Sequence, residues 1–224
     1  PYVRPADWLE IDSLVSVGQQ KFVGLVAVFE EGNFFTVTCN GAYTVDWGDG
    51  TVTNYASSSN AYYQFNYANF AGTECSRGYR QAIITITPQS GQNLTILNFS
   101  IGHNQAGLNT GVINGLLDVK LSAPNLTLLT FSNKNRMLEQ VDFVGTNSIT
   151  SFNACFNACN SLVKIKNLWT NTCTNFTSIF NGCYKLEHLP TLNTSSGTNF
   201  TSSFYQCYNL KSLPSGIDFS NATT

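Results

Sequence analysis

The fold is decided by the stretch FNACNSLVKI at residues 156–165, which recurs as FNGCYKLEHLP at residues 180–190 and as FYQCYNLKSLP at residues 204–214. The copies follow one another at a constant 24-residue period and hold phenylalanine, cysteine and leucine in the same register. A fixed period of this kind is typical of repeat architectures, in which one coil buries its apolar face only by stacking on its neighbours. The predicted repeat core is Phe156, Cys159, Leu162, Phe180, Cys183, Leu186, Phe204, Cys207 and Leu210.

A second motif follows the same period, because TNFTS stands at residues 174–178 and again at residues 198–202. The combination of a phenylalanine, a cysteine and a Leu-x-x-Leu-Pro segment is similar to the BspA-like leucine-rich repeats of bacterial surface proteins. The resemblance is clearest over residues 149–214 and looser before them. It implies a short solenoid over residues 103–224, and it implies adhesion or partner binding as the role.

The cysteines fit stacked coils better than disulfides. The chain has seven of them, an odd number that cannot pair completely within one molecule. Cys159, Cys183 and Cys207 hold one position in three coils, so we expect a buried ladder of small apolar side chains. The alternative is a metal site, but no histidine shares that face, and the spacing is that of the coil and not that of a Cys-x-x-Cys pair.

In the N-terminal half the stretch YTVDWGDGT at residues 43–51 joins two strand-like runs. Gly48 and Gly50 can adopt positive φ, and the Asp49 side chain can accept hydrogen bonds from nearby amides, which predicts a tight hairpin turn. Trp47 is expected to anchor the core. The alternative is a calcium site at Asp46 and Asp49, but two carboxylates are few for that ion.

The same stretch resembles the signature of the PKD (polycystic kidney disease) family. That resemblance covers residues 20–102 and implies an immunoglobulin-like β-sandwich that acts as a spacer or weak binding module, without catalysis. The predicted fold class is therefore mainly β. It comprises an arm at residues 1–19, a PKD-like β-sandwich at residues 20–102 and a leucine-rich-repeat solenoid at residues 103–224.

Composition excludes several partners. Of the 224 residues, 42% are hydrophobic and only 11% are charged, against about 25% charged in an ordinary globular domain. A net charge of −2 gives no electrostatic reason to expect nucleic acid as a partner. No apolar run reaches the roughly 18 residues that a membrane-spanning helix needs. The first residues, PYVRPADW, lack the apolar segment of a secretory signal.

The sequence offers little for catalysis. Its two histidines are His103, near the predicted boundary between the two parts, and His188, at an outward position of a repeat. Neither accompanies a nucleophile motif, and no glycine loop of the phosphate-binding type is present. Paired carboxylates of the glycosidase type stay open as an alternative. We predict a chain without catalytic, cofactor-binding or metal-binding residues.

Both ends of the chain carry apolar residues that need a partner. Trp8 and Leu9 lie in the arm, which either packs on its own domain or docks on a neighbouring copy. Ile217 and Phe219 lie in the tail at residues 215–224, which is shorter than half of one coil. Repeat arrays need caps. We therefore expect another subunit to cover the last coil. The alternative is a tail that folds back as a cap.

An arm, a PKD-like sandwich and BspA-like repeats together resemble virion structural proteins of tailed bacteriophages. The resemblance implies a capsid-decorating, tail or fibre protein, located in the virion and bound to other copies or other virion proteins, with a host surface as a further candidate partner. The alternative is a bacterial adhesin that is secreted or held at the cell surface. A polysaccharide-degrading enzyme is a third class, and it would need a carboxylate pair in a cleft.

Overall fold

A computed structural model describes residues 2–102 and 114–224. These residues form a mainly β structure with two mixed sheets and two single-turn 3-10 helices at Asp12–Leu14 and Tyr67–Phe70. The prediction of a mainly β chain is therefore confirmed. The strands are β1 (Lys21–Val28), β2 (Phe34–Asn40), β3 (Tyr43–Asp46), β4 (Val52–Tyr55), β5 (Asn60–Gln64), β6 (Arg80–Pro88), β7 (Ile96–Asn98), β8 (Leu116–Ser122), β9 (Leu128–Thr130), β10 (Gln140–Phe143) and β11 (Lys164–Lys166).

The larger sheet has seven strands in the order β11-β10-β8-β1-β6-β3-β4. Its strands pair antiparallel from β8 to β4, with Leu25 of β1 opposite Ile83 of β6, whereas β8, β10 and β11 run parallel. The smaller sheet has the order β5-β2-β7-β9, in which only the β7–β9 pair is parallel. Paired residues of β10 and β11, such as Gln140 and Lys164, are 24 residues apart, which equals the repeat period.

Strand β1 is apolar on both faces because both faces are covered. Phe22, Val26 and Val28 belong to the main core between the two sheets. The intervening residues Val23 and Leu25 face the other way and pack in a second cluster. A strand that is buried on both sides has a continuous apolar sequence and does not alternate.

The second cluster contains the N-terminal arm. Trp8, Ile11 and Val15 lie on the large sheet, and the Trp8 indole, only 2% exposed, donates a hydrogen bond to the hydroxyl of Tyr79 at 3.0 Å. Leu9 is half-buried beside it. Of the two alternatives for the arm, packing on its own chain is the one observed. The indole packs in a cluster that includes Leu25 of β1 and Leu117 of β8.

The two predicted parts lie side by side and share a sheet. Strand β8 follows the predicted boundary, yet it pairs with β1, and one hydrophobic core runs through both parts. The predicted boundary lies between residue 102, which is described, and His103, which lies outside the described residues. The division into domains stays a prediction.

Successive repeats are hydrogen-bonded to one another. Parallel bridges join Ser151 to Asn175 and Asn175 to Asn199. Between them the amide of Phe156 donates to the carbonyl of Ile179 at 2.9 Å, and the amide of Phe180 donates to that of Ser203 at 3.0 Å. The repeated sequence therefore produces a repeated backbone ladder.

A column of phenylalanine rings runs through the core from the sheets into these repeats. Neighbouring ring centroids are 4.6, 5.1, 5.6, 5.7 and 5.8 Å apart. The column is formed by Phe22, Phe99, Phe131, Phe156, Phe180 and Phe204. Offset or tilted aromatic pairs at such distances add to the stabilisation that burial gives.

Candidate functional site

The turn at residues 47–50 is structural. Gly48 has φ +82°, and a Cβ there would lie 2.5 Å from the carbonyl oxygen of Ile83, so only glycine fits. Gly50 also has positive φ, at +90°. Trp47 is fully buried and stacks on Tyr63 with a centroid distance of 4.3 Å. These contacts join the β3–β4 hairpin of one sheet to β5 of the other.

Asp49 completes that junction. Its Oδ1 accepts a hydrogen bond from the Thr51 amide at 3.0 Å, and its Oδ2 accepts one from the Tyr63 hydroxyl at 2.6 Å. Burial raises the pKa of Asp49, but these hydrogen bonds together outweigh burial and hold the pKa below its ordinary value. The carboxylate therefore acts across the two sheets as well as within its own turn.

We expect Asp49→Ala to lower the free energy of unfolding by about 1–2 kcal/mol, because backbone and hydroxyl donors lose their acceptor. Since the folded-state pKa of Asp49 lies below the ordinary 3.8, this stabilisation is present above that value and is lost as the pH falls through the folded-state pKa. Denaturant unfolding of the full chain at several pH values measures the effect.

Asp46→Ala is the matched control, because Asp46 directly precedes the same turn and accepts one hydrogen bond, from the Gly48 amide at 2.9 Å. Its loss should be smaller. Equal losses for the two variants would contradict the role of Asp49 in joining the sheets.

Cys159, Cys183 and Cys207 of the repeats are free thiols. The Cys183 thiol donates to the carbonyl of Phe156 at 3.1 Å, and the Cys207 thiol donates to that of Phe180 at the same distance. Burial raises the pKa of Cys159 and Cys183 well above the ordinary thiol value, and it raises the pKa of Cys207 to about 11. Thiols of this kind are poor nucleophiles.

We therefore expect Cys159, Cys183 and Cys207 to resist alkylation in the native protein and to react at once in denaturant. Cys207 should react first of the three, because it is only partly buried in the last repeat. Mass spectrometry after timed labelling measures the order. Rapid native labelling of Cys159, or a mass lower by two hydrogen atoms with the disulfide located among these three cysteines, would contradict the buried ladder.

The last repeat ends in unpaired backbone donors. The amides of Ser178, Phe180 and Gly182 donate to carbonyls of the following segment. Their counterparts one period later have no acceptor among residues 2–102 and 114–224. These counterparts are Ser202, Phe204 and Gln206. We call this row of donors, together with exposed Tyr205, Tyr208 and Leu213, the open face.

The tail covers a different part of the last repeat. The Thr194 hydroxyl donates to the Asp218 carbonyl at 3.0 Å, and the Phe200 amide donates to the Thr224 carbonyl at 2.9 Å. Ile217 packs against the main core, whereas Phe219 stays 47% exposed at the edge of the Phe200 ring. The tail thus acts as a cap along one side and leaves the open face uncovered.

The described residues offer little for chemistry. His188 is exposed and lies 3.6 Å from the carboxylate of its neighbour Glu187. Within these residues, no three His, Cys, Asp or Glu side chains are grouped as metal ligands. In the same residues, no helix has the length and apolarity to cross a membrane.

Comparisons with known proteins give no relative: no protein-family model, curated protein or solved structure matches the chain. The functional assignment therefore rests on the geometry of this chain.

Proposed function

We propose that this protein is a non-enzymatic structural and binding component of a bacteriophage virion, and that it works through protein–protein contacts. In this proposal the two sheets are an immunoglobulin-like, PKD-like sandwich and the ladder is a short leucine-rich-repeat solenoid. Support comes from the WGDG turn between two paired strands and from the hydrogen bonds that join successive repeats.

The exposed tyrosines of the repeats are the single observation that carries the proposal: Tyr184 stacks on Tyr208 at 5.6 Å, and the two side chains are 41% and 73% exposed. Tyr205 and Leu213 of the same repeat are 60% and 50% exposed. A row of exposed aromatic and apolar side chains is typical of an interface.

In this proposal the occupant is another virion subunit, whose apolar side chains would lie on the tyrosines. Because Ile217 and Phe219 lie on the capped side, they contribute to this contact only at its margin.

The experiment is to measure the mass of residues 1–224 by light scattering across micromolar concentrations. We expect self-association or tight binding to a neighbouring virion protein, and we expect Tyr208→Glu to abolish it by placing a charge on the open face. Val52→Glu is the matched control, because Val52 is exposed on the distant strand β4. A stable monomer that binds no virion subunit would overturn the proposal.

A further inference from the structure

An open cleft of about 970 Å³ lies beside the repeats. Its walls come from the arm, the segment after β10, the segment after β11 and the equivalent segment one repeat later. Each wall contributes several lining residues; one from each, in the same order, is Val17, Gly145, Trp169 and Asn193. Trp169 and Asn193 are one repeat period apart in the sequence, so the repeat places one side chain above the other along the cleft.

Charge inside the cleft is balanced by the protein itself. Lys120 and Asp142 both line it, with Nζ and Oδ2 3.8 Å apart. Lys120 also donates to the Asp12 carbonyl at 2.6 Å. Because these charges already have partners, the described residues that line the cleft offer no free charge of either sign with which to select an ionic ligand.

Two asparagine amides are held in fixed positions in the cleft. The Nδ2 of Asn167 donates to Asp142 Oδ1 at 3.1 Å, which leaves the Asn167 Oδ1 acceptor open. The Oδ1 of Asn193 accepts from the Ser195 amide at 3.1 Å and from its hydroxyl at 2.8 Å, which leaves the Nδ2 donor open. Within the described part of the chain these two open atoms have no partner.

Trp169 adds an aromatic surface to the cleft. The chain has three tryptophans, all of them described; Trp8 and Trp47 are buried, whereas Trp169 is partly exposed and lines the cleft. Its backbone carbonyl accepts from Asn147 Nδ2 at 3.2 Å, and Leu168 beside it is buried, so the segment is anchored. Apolar surface with a few fixed polar atoms is the usual composition of a small-ligand site.

We propose that this cleft binds a neutral glycan. One face of a pyranose ring presents C–H groups that can lie on an indole, and its hydroxyls both donate and accept, as Asn167 and Asn193 require. A peptide or nucleotide fits less well, since a nucleotide would need a free cation. The inference goes beyond assembly through the open face and gives the particle a means of contacting a sugar-coated surface.

The test uses the full chain and a panel of soluble oligosaccharides of glucose, galactose, mannose and N-acetylglucosamine. Calorimetry should find saturable binding to at least one of them, accompanied by a change in the emission of Trp169. Trp169→Ala and Asn167→Ala should each weaken binding roughly tenfold or more, since they remove central contacts. Val52→Ala, on the distant strand β4, should leave the affinity unchanged.

Thermal unfolding of each variant shows whether it folds, and Trp169→Phe, which keeps an aromatic ring, should retain part of the affinity. Absence of binding to every neutral sugar, binding only to sialylated or phosphorylated sugars, or equal affinity in folded Trp169→Ala would each overturn the inference. A monomer that binds sugar would support the glycan site and contradict the assembly proposal. An oligomer that binds no sugar would support the assembly proposal and contradict the glycan site.

Discussion

Replacing Phe156 with alanine is expected to lower the free energy of unfolding by about 3–5 kcal/mol, the range for large aromatic residues truncated in a packed core. Phe156 is fully buried, and its ring stacks on Phe131 on one side and on Phe180 on the other. Truncation would leave a cavity with rings on both sides. Backbone hydrogen bonds between the segments prevent the neighbours from collapsing into it.

Denaturant unfolding monitored by circular dichroism measures this loss. Tyr208→Ala is the matched control, because Tyr208 also stacks on an aromatic ring in the repeats, that of Tyr184 at 5.6 Å, but is largely exposed. Its loss should stay below about 1 kcal/mol, as for ordinary surface changes. Equal losses for the two variants would contradict the view that the buried column supports the repeats.

The part of this column that lies in the repeats could be predicted, and the rest could not. Phe156, Phe180 and Phe204 recur at a constant spacing, so their stacking follows from the period. Phe99 and Phe131 precede them at unequal spacings, and no pattern in the sequence links them. Their alignment results from strand pairing between distant segments, such as β7 with β9.

The position of the arm could likewise be predicted only in part. Its apolar residues predicted burial somewhere, but the chain alone could not say on which surface. Trp8 fits because β1 and β8, which are far apart in the sequence, pair and form one apolar face. Long-range pairing of this kind leaves no local periodicity. The cleft was missed for a related reason, because Asn167, Trp169 and Asn193 lie in loops whose sequence resembles ordinary turns.

Arg4 should be as important to stability as Phe156. Its Nε donates to Asp118 Oδ2 at 2.7 Å, and Asp118 is only 1% exposed within the large sheet. The guanidinium also donates to the carbonyls of Trp8 and Leu9, so it fastens the arm. We expect Arg4→Met to cost about 3–5 kcal/mol at neutral pH, because a buried carboxylate loses its cation.

The pH dependence separates that charge effect from simple loss of the arm. Burial raises the pKa of Asp118 above its ordinary 3.8, and Arg4 partly offsets this. Without Arg4 the pKa rises further, so the folded state favours the protonated acid. The difference in free energy of unfolding between Arg4→Met and the parent should therefore be largest at neutral pH. It should shrink as the pH falls through the raised pKa of Asp118 in the variant.

Asp118→Asn in the Arg4→Met background is the decisive control, since a neutral amide at residue 118 needs no cation and can still bond Gln140, whose Nε2 lies 3.3 Å from the carboxylate. The double variant should recover a substantial part of the loss at neutral pH and should lose the pH dependence. If Arg4→Met is equally destabilised at all pH values, and Asp118→Asn brings no recovery, then Arg4 acts only as a tether for the arm. In that case the buried carboxylate does not set the stability of this face.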